Sequence, residues 1–279
     1  MRAFLIALLC TVISTASSAA DTLARARETG TLRLGFRVDA PPYSYRSVRG
    51  EPSGYIVDLC REVAAGLKKA QNLTSLKIEY VEVTSADRLE AVKDGKIDIL
   101  CDPTSMTMSR RAIVDFSLPT FIDGAGVLYR ANEVVRLEDL RGKKVGVLRG
   151  TTTEETLKAT LTQLGIQASI VPVQTHPEGV WSLSAGKIDA YFGDRGILNY
   201  HLLNSQNRSG MKLSDQYFTF ETYALALPRG DEKLRLLVDA TLAELYRTDR
   251  VKEIYARSFG NFPPDQFTRA LFVINGVPK

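Results

Sequence analysis

The sequence is poor in the residues that most specialised chemistries require. Its 279 residues include three cysteines, two histidines and one tryptophan. Cys60 and Cys101 with two histidines offer no metal-ligand spacing, so neither a metal nor any other cofactor is expected. Lys and Arg (36) barely outnumber Asp and Glu (32), and no basic run exceeds two residues. A nucleic-acid partner is therefore not expected. There is no Gly-x-Ser-x-Gly, no Walker loop and no recognisable nucleophile–base pair, which leaves no motif for an enzyme. With 44% hydrophobic and 24% charged residues, the composition also excludes disorder and a multi-span membrane protein.

The longest apolar run, Ala3 to Ile13, is too short to span a bilayer. Met1-Arg2 supplies a positive start before it, and small residues from Ser14 to Ala20 follow it. This is the layout of a cleaved secretory signal over residues 1–20, with the mature chain expected to begin near Asp21, outside the cytoplasm. Cys10 lies inside the apolar region behind Leu9, not behind a small residue, so no lipid anchor is expected. Cys60 and Cys101 remain. In an oxidising compartment they favour one disulfide, closing a loop of about 40 residues and contributing about 3–4 kcal/mol. Two buried free thiols are the alternative.

Periodicity orders the elements. Thr31 to Arg37 alternates as a strand, and Pro41 to Gly54 is a Pro/Tyr/Ser/Gly-rich loop. Tyr55 to Lys69 carries Ile56, Leu59, Val63 and Leu67 on one helical face. Ser75 to Val83 is a strand. Thr84 with Asp87 forms a capping box that opens a helix ending at Gly95, and Ile97 to Leu100 is a third strand. A second unit repeats the order: strand Lys144 to Leu148, a helix opened by Gly150-Thr151-Thr152, strand Ala168 to Val173, helix Glu178 to Ser184 and strand Ile188 to Phe192. Gly95-Lys96-Ile97-Asp98 recurs as Gly186-Lys187-Ile188-Asp189, 91 residues on. Two similar α/β lobes with mostly parallel sheets follow. Gly124 to Arg130 and Phe218 to Leu227 are the expected crossings between them, and Lys233 to Arg247 and Val251 to Phe259 are helices.

Ligands of open parallel sheets bind beyond the carboxyl ends of the strands. The polar residues there are Arg37; Ser85 and Arg88; Thr104, Ser105 and Arg110; and, in the second unit, Thr151 and Thr152, His176 and Asp194. Guanidinium groups in one lobe face hydroxyls, an imidazole and a carboxylate in the other, a set suited to a ligand with carboxylates and an amine.

These residues resemble a known family. Pro42-Tyr43-Ser44-Tyr45, Gly54-Tyr55-Ile56-Val57-Asp58-Leu59-Cys60, Val114-Asp115-Phe116-Ser117 and Leu140-Arg141-Gly142-Lys143-Lys144-Val145-Gly146-Val147 followed by Gly150-Thr151-Thr152 look like periplasmic amino-acid-binding proteins of ABC importers, solute-binding protein family 3. Thr84-Ser85-Ala86-Asp87-Arg88 with Thr175-His176 is most similar to the glutamate/aspartate-binding branch. The resemblance implies a two-lobed type II periplasmic-binding-protein fold with two hinge crossings. Lobe 1 would comprise residues 21–123 plus 224–279, and lobe 2 residues 124–223. It implies a periplasmic, monomeric carrier that closes on an acidic amino acid and presents it to a membrane permease. Arg110 would pair with the ligand α-carboxylate, helped by Ser105, Thr152 and the Gly150–Thr151 turn. Asp194 would take the α-ammonium, while Arg37, Ser85, Arg88 and His176 would surround the side chain. Pro103 stands where the branch has a small residue whose backbone faces the amine, and only its carbonyl can serve. Asp102 is a carboxylate where the branch has glycine. The rival reading is a dehydratase on the same fold acting on a prephenate-like acid, with Asp102 or Glu154 as the acid.

Overall fold

The computed structural model describes residues 21–131, 136–260 and 262–278. The expected signal and its Cys10 lie outside the described residues. Helix α1 (Thr22–Thr29) leads into strand β1 (Thr31–Phe36). The segment read as a loop, Pro41 to Gly54, instead supplies β3 (Ser44–Arg46) and β4 (Pro52–Ser53), which form a small antiparallel sheet with β2 (Asp39–Ala40) just ahead of it. There follow α2 (Tyr55–Ala70), β5 (Lys77–Glu82), α3 (Arg88–Lys93), β6 (Ile99–Leu100), α4 (Met108–Arg111) and the long β7 (Asp115–Asp123). The second unit contains β8 (Ala125–Arg130), β9 (Lys144–Leu148), α5 (Thr152–Gln163), β10 (Ser169–Val173), α6 (His176–Ser184), β11 (Ala190–Asp194), α7 (Arg195–Leu203) and β12 (Met211–Leu213). Then β13 (Glu221–Leu227), α8 (Glu232–Arg247), α9 (Arg250–Phe259) and α10 (Gln266–Ile274) complete the described chain.

The two lobes share one topology. The first sheet runs β5-β1-β6-β13-β7 and the second β10-β9-β11-β8-β12. In each, three parallel strands in the order second-first-third are followed by one antiparallel strand and an outer strand paired to it. The antiparallel member is the crossing strand, β13 in one lobe and β8 in the other, so each sheet is mixed where parallel pairing was expected to dominate. Both faces of both sheets are covered: one apolar cluster lies on each side of each sheet. This is why the parallel strands read as near-continuous apolar runs.

Helix α2 forms because its apolar residues recur every three or four positions. Ile56, Leu59, Val63 and Leu67 all point inward and are fully buried. Burial of such side chains is worth about 1.5–3 kcal/mol each. Cys60 on this face is bonded to Cys101, just past β6, so the disulfide reading holds and the helix is tied to the strand end that carries site residues.

The tetrapeptide repeat has a physical reason. Gly95 and Gly186 both adopt positive φ, +66° and +70°, ending their helices in the left-handed conformation that glycine tolerates. Each repeat aspartate then caps a neighbouring first strand: Asp98 accepts from Arg33 N at 2.7 Å and Asp189 from Lys144 N at 2.8 Å. The repeat therefore marks the ends of the sheets opposite the site. The Thr84–Asp87 box also forms, with Thr84 N donating to Asp87 Oδ1 at 2.7 Å and Asp87 N to Thr84 Oγ1 at 3.3 Å. It closes a turn, however, and α3 begins one residue later.

Candidate functional site

The carboxyl ends of β1, β5 and β6 face those of β9, β10 and β11, and polar contacts cross between them. Ser85 Oγ donates to Arg149 O at 2.8 Å, His176 N to Asp39 Oδ2 at 3.1 Å, and Ser105 Oγ lies 3.3 Å from Thr152 Oγ1. Gly150, at φ +74°, lets the backbone before α5 come up against Ser85; a Cβ there would sit 3.0 Å from Ser85 O. The strand-end residues read from the sequence are thus brought together in one cleft between the lobes.

Three buried guanidinium groups converge from the first lobe, and their partners differ. Arg37 donates from Nε and Nη2 to Asp39 Oδ1 at 2.9 and 2.7 Å. Burial pushes Asp39 up, but Arg37 and the His176 N–H hold it below the ordinary carboxylate range. Arg88 donates from Nε to Thr104 Oγ1 at 2.9 Å and from Nη1 to Ser85 O, and its Nε lies 3.3 Å from Asp102 Oδ2. Burial lowers Arg88 to about 10, with Asp102 restoring and Arg110 and Arg37 further depressing it. Arg110 donates from Nη1 to Ser105 O at 2.9 Å and makes no ion pair among the described residues. Thr107 caps α4 through Arg110 N and so fixes where that guanidinium starts.

The second lobe supplies the opposite pole. Thr151 caps α5, accepting from Glu154 N at 3.1 Å while donating to Leu148 O at 2.7 Å. Its hydroxyl is thus committed to local backbone groups on both sides. Thr152 Oγ1 donates to Glu221 Oε2 at 2.6 Å. Asp194, partly buried at the end of β11, accepts from Thr153 Oγ1 at 3.1 Å. It has no cationic partner among the described residues, and burial followed by the Glu221 charge raises it to about 6. His176 is buried with Nδ1 3.0 Å from Tyr191 OH. Burial first and Arg37 second push it down to about 3, so the imidazole is neutral near pH 7.

Sequence reading did not single out Asp123, Glu221 or Tyr223. Asp123 sits where the chain leaves the first lobe and accepts from Tyr43 OH (2.9 Å), Tyr223 OH (3.3 Å), Gly124 N (2.8 Å) and Gly196 N (3.0 Å). Burial, then the Asp194 charge, raises it to about 7 against those donors. Its only signal in the sequence was an acidic residue beside the Gly124 crossing. Glu221 starts the return strand and borders a groove of about 630 Å³ shared with Ser105, Thr152, Thr219 and Phe267. Pro103 is buried between Asp102 and Thr104. Tyr43 and Tyr55 are fully buried in an aromatic cluster with Phe121 and Phe259, whereas Tyr45 is half-buried beside Tyr200. The His201 ring lies 6.3 Å from His176. Among the described residues no acidic, histidine or cysteine cluster could hold a metal, and no helix is long and apolar enough to cross a membrane.

Comparison with known proteins agrees with this architecture. Residues 32–261 match the family described as bacterial extracellular solute-binding proteins, family 3. The L-glutamate/L-aspartate-binding protein of Pseudomonas aeruginosa is 32% identical over 240 residues, 85% of this chain and 80% of the relative. An ancestral arginine-binding protein solved with arginine superposes with a TM-score of 0.75 at 28% identity, covering 83% of this chain and 99% of that one. An ancestral amino-acid-binding protein described as a precursor of cyclohexadienyl dehydratase gives a TM-score of 0.75 at 28% identity, over 85% and 99%.

Proposed function

The chain belongs to the bacterial extracellular solute-binding proteins, family 3, and we propose that it captures an acidic amino acid between its lobes in the periplasm and delivers it to the permease of an ABC importer. The observation that carries this reading is a pair of complementary charges: among the described residues Arg110 is a buried guanidinium without a carboxylate partner, and Asp194 a partly buried carboxylate without a cationic one. An α-amino acid supplies both missing partners at once. A guanidinium fork matches the α-carboxylate, with Ser105, the start of α5 and, once it turns away from Glu221, the Thr152 hydroxyl as further donors. Asp194, with the Pro103 carbonyl, takes the ammonium. Arg37, Ser85, Arg88 and neutral His176 then surround the side chain, and their N–H and O–H donors accommodate a carboxylate there. The glutamate/aspartate-binding relative supports that choice.

Residues 21–123 with 224–279 form one closing body in this reading and 124–223 the other, as a monomer. Micromolar capture needs about 8 kcal/mol, which a few charge-assisted hydrogen bonds of about 1.5–3 kcal/mol each supply. The test is calorimetric titration of the mature chain, unfolded and refolded to strip carried-over ligand, with glutamate, aspartate, glutamine and succinate. Tight binding of an acidic amino acid is expected; binding of succinate alone removes Asp194 from the amine role, and no heat with any of them rejects the reading.

A dehydratase on this fold is the second reading, favoured by the elevated Asp194 and by the dehydratase-precursor neighbour. Glu154 does not serve it. Partial burial pushes Glu154 up, but Lys158 and Gly150 N hold it below the ordinary range, the wrong direction for a general acid. Assay with prephenate separates the two.

A further inference from the structure

Asp102 is the most enclosed charge in the cleft wall. Its side chain is fully buried, Oδ1 accepts from Thr104 Oγ1, and Oδ2 has no hydrogen-bond partner although it lies 3.3 Å from Arg88 Nε. Thr104 in turn accepts from Arg88 Nε at 2.9 Å. Arg88, Thr104 and Asp102 therefore form a closed triad that holds the guanidinium by its Nε edge. The Nη2 group makes no hydrogen bond among the described residues and remains free to meet a ligand. Among the described residues nothing else requires this carboxylate: it caps no helix and satisfies no backbone N–H.

The consequence concerns selectivity. A guanidinium that lacked a built-in counter-ion would be left unpaired by an uncharged ligand, and would strongly reject an amide in favour of a carboxylate. Asp102 removes that penalty, because Arg88 is neutralised whether or not a ligand carboxylate arrives. Arg37 is neutralised in the same way by Asp39, so neither side-chain arginine depends on the ligand for its charge partner. Only Arg110 does, and its partner is the group that all α-amino acids share.

We propose that Asp102 is a positioning residue, acting through Arg88, that relaxes the acid-over-amide preference of the cleft so that glutamine-like and glutamate-like side chains are both accepted. The inference rests on Arg88 facing the ligand side chain, as in the function proposed above.

The test is titration of the wild-type chain and of Asp102→Asn with glutamate and glutamine. The wild type is expected to bind both, with dissociation constants within about tenfold of each other. In Asp102→Asn the ratio is expected to widen by at least about tenfold, through tighter glutamate binding with glutamine little changed. Thermal melts give a second readout: glutamate should raise the melting temperature of Asp102→Asn more than that of the wild type, and glutamine should not. A merely structural role for Asp102 predicts parallel weakening of both ligands, and that result overturns the proposal. So does a wild-type preference for glutamate above about 100-fold, which needs no variant to fold. If the wild type binds neither ligand, the function proposed above falls together with this inference; if it binds both and Asp102→Asn leaves the ratio unchanged, only this inference falls.

Discussion

Ser105 Oγ, at the end of the first lobe's third strand, and Thr152 Oγ1, in the first turn of the second lobe's first helix, stand 3.3 Å apart across the cleft. Thr152 also donates to Glu221 on the return strand, so this one hydroxyl joins both lobes and the crossing between them. Together with the Ser85–Arg149 and Asp39–His176 contacts it links the two lobes. Hydrogen bonds of this kind contribute about 0.5–1.5 kcal/mol each, little enough for a ligand to reorganise them.

The arginines should separate by role. Arg110→Ala removes the only guanidinium of the three without an internal carboxylate, and is expected to abolish binding of every α-amino acid, a loss of about 2–5 kcal/mol. Arg88→Ala leaves Asp102 buried without its cation, so carboxylate side chains should suffer most and the preference should turn toward amides. Calorimetry with glutamate and glutamine on both variants checks this. Equal losses for both ligands in both variants would show that no such division exists.

Two buried groups should give opposite slopes of stability against pH. Asp123 has its folded pKa raised to about 7. The folded state therefore keeps a proton that the unfolded chain has released, and stability falls as pH rises from about 4 to about 7. His176 is lowered to about 3. The unfolded chain then binds the extra proton below about 6.5, so stability falls as pH drops from there toward 3. Denaturant melts across pH 4–8 should show Asp123→Asn losing the first slope and His176→Gln the second. An Asp123→Asn curve parallel to wild type at every pH would mean that Asp123 is ionised throughout.

Much of this was legible because it is local. The Gly-Lys-Ile-Asp repeat, the α2 face and the strand order all follow from periodicity and from glycine's tolerance of positive φ, and the structure reproduces them within a few residues. The strand-end rule likewise picked out Arg37, Ser85, Arg88, Ser105, Arg110, Thr152, His176 and Asp194, which the fold gathers into one cleft. What composition and spacing do not carry is pairing at a distance. Asp123 gains its significance from Tyr43, 80 residues away, and from Gly196, 73 residues away. Nor do composition and spacing carry the hydrogen bonds that Thr151 makes on both sides, accepting from Glu154 N and donating to Leu148 O. The segment from Pro41 to Gly54 has turn residues throughout, yet it supplies two short strands that pair with each other and with β2, because Tyr43 and Tyr55 anchor its two ends in the aromatic core.

The disulfide should matter for stability through the loop that it closes. Cys60 and Cys101 are 41 residues apart, and a loop of that size is worth about 3–4 kcal/mol. Paired Cys60→Ser and Cys101→Ser substitutions should lower the melting temperature by on the order of 10 °C for a chain of this length. A shift below about 2 °C would mean that core packing alone fixes α2 against β6.

The crossing itself offers the sharpest steric test. A Cβ on Gly124 would lie 1.9 Å from the backbone oxygen of Thr219 and 3.0 Å from the Tyr217 ring. Thr219 belongs to the returning segment, whose hydroxyl already receives Ala125 N at 2.8 Å. The two crossings therefore touch at a point where only glycine fits, and backbone atoms cannot step aside as a side chain can. Gly126, two residues on and inside β8, would place its Cβ 3.4 Å from the nearest atom, ordinary contact. Gly124→Ala should destabilise by about 1–3 kcal/mol or more and weaken ligand binding, because separating the crossings changes the axis about which the lobes meet. Gly126→Ala should behave as wild type in both respects. Melting curves and small-angle scattering with and without ligand decide the matter. If Gly124→Ala compacts on ligand addition as the wild type does, the contact between the crossings is not what sets the closed geometry.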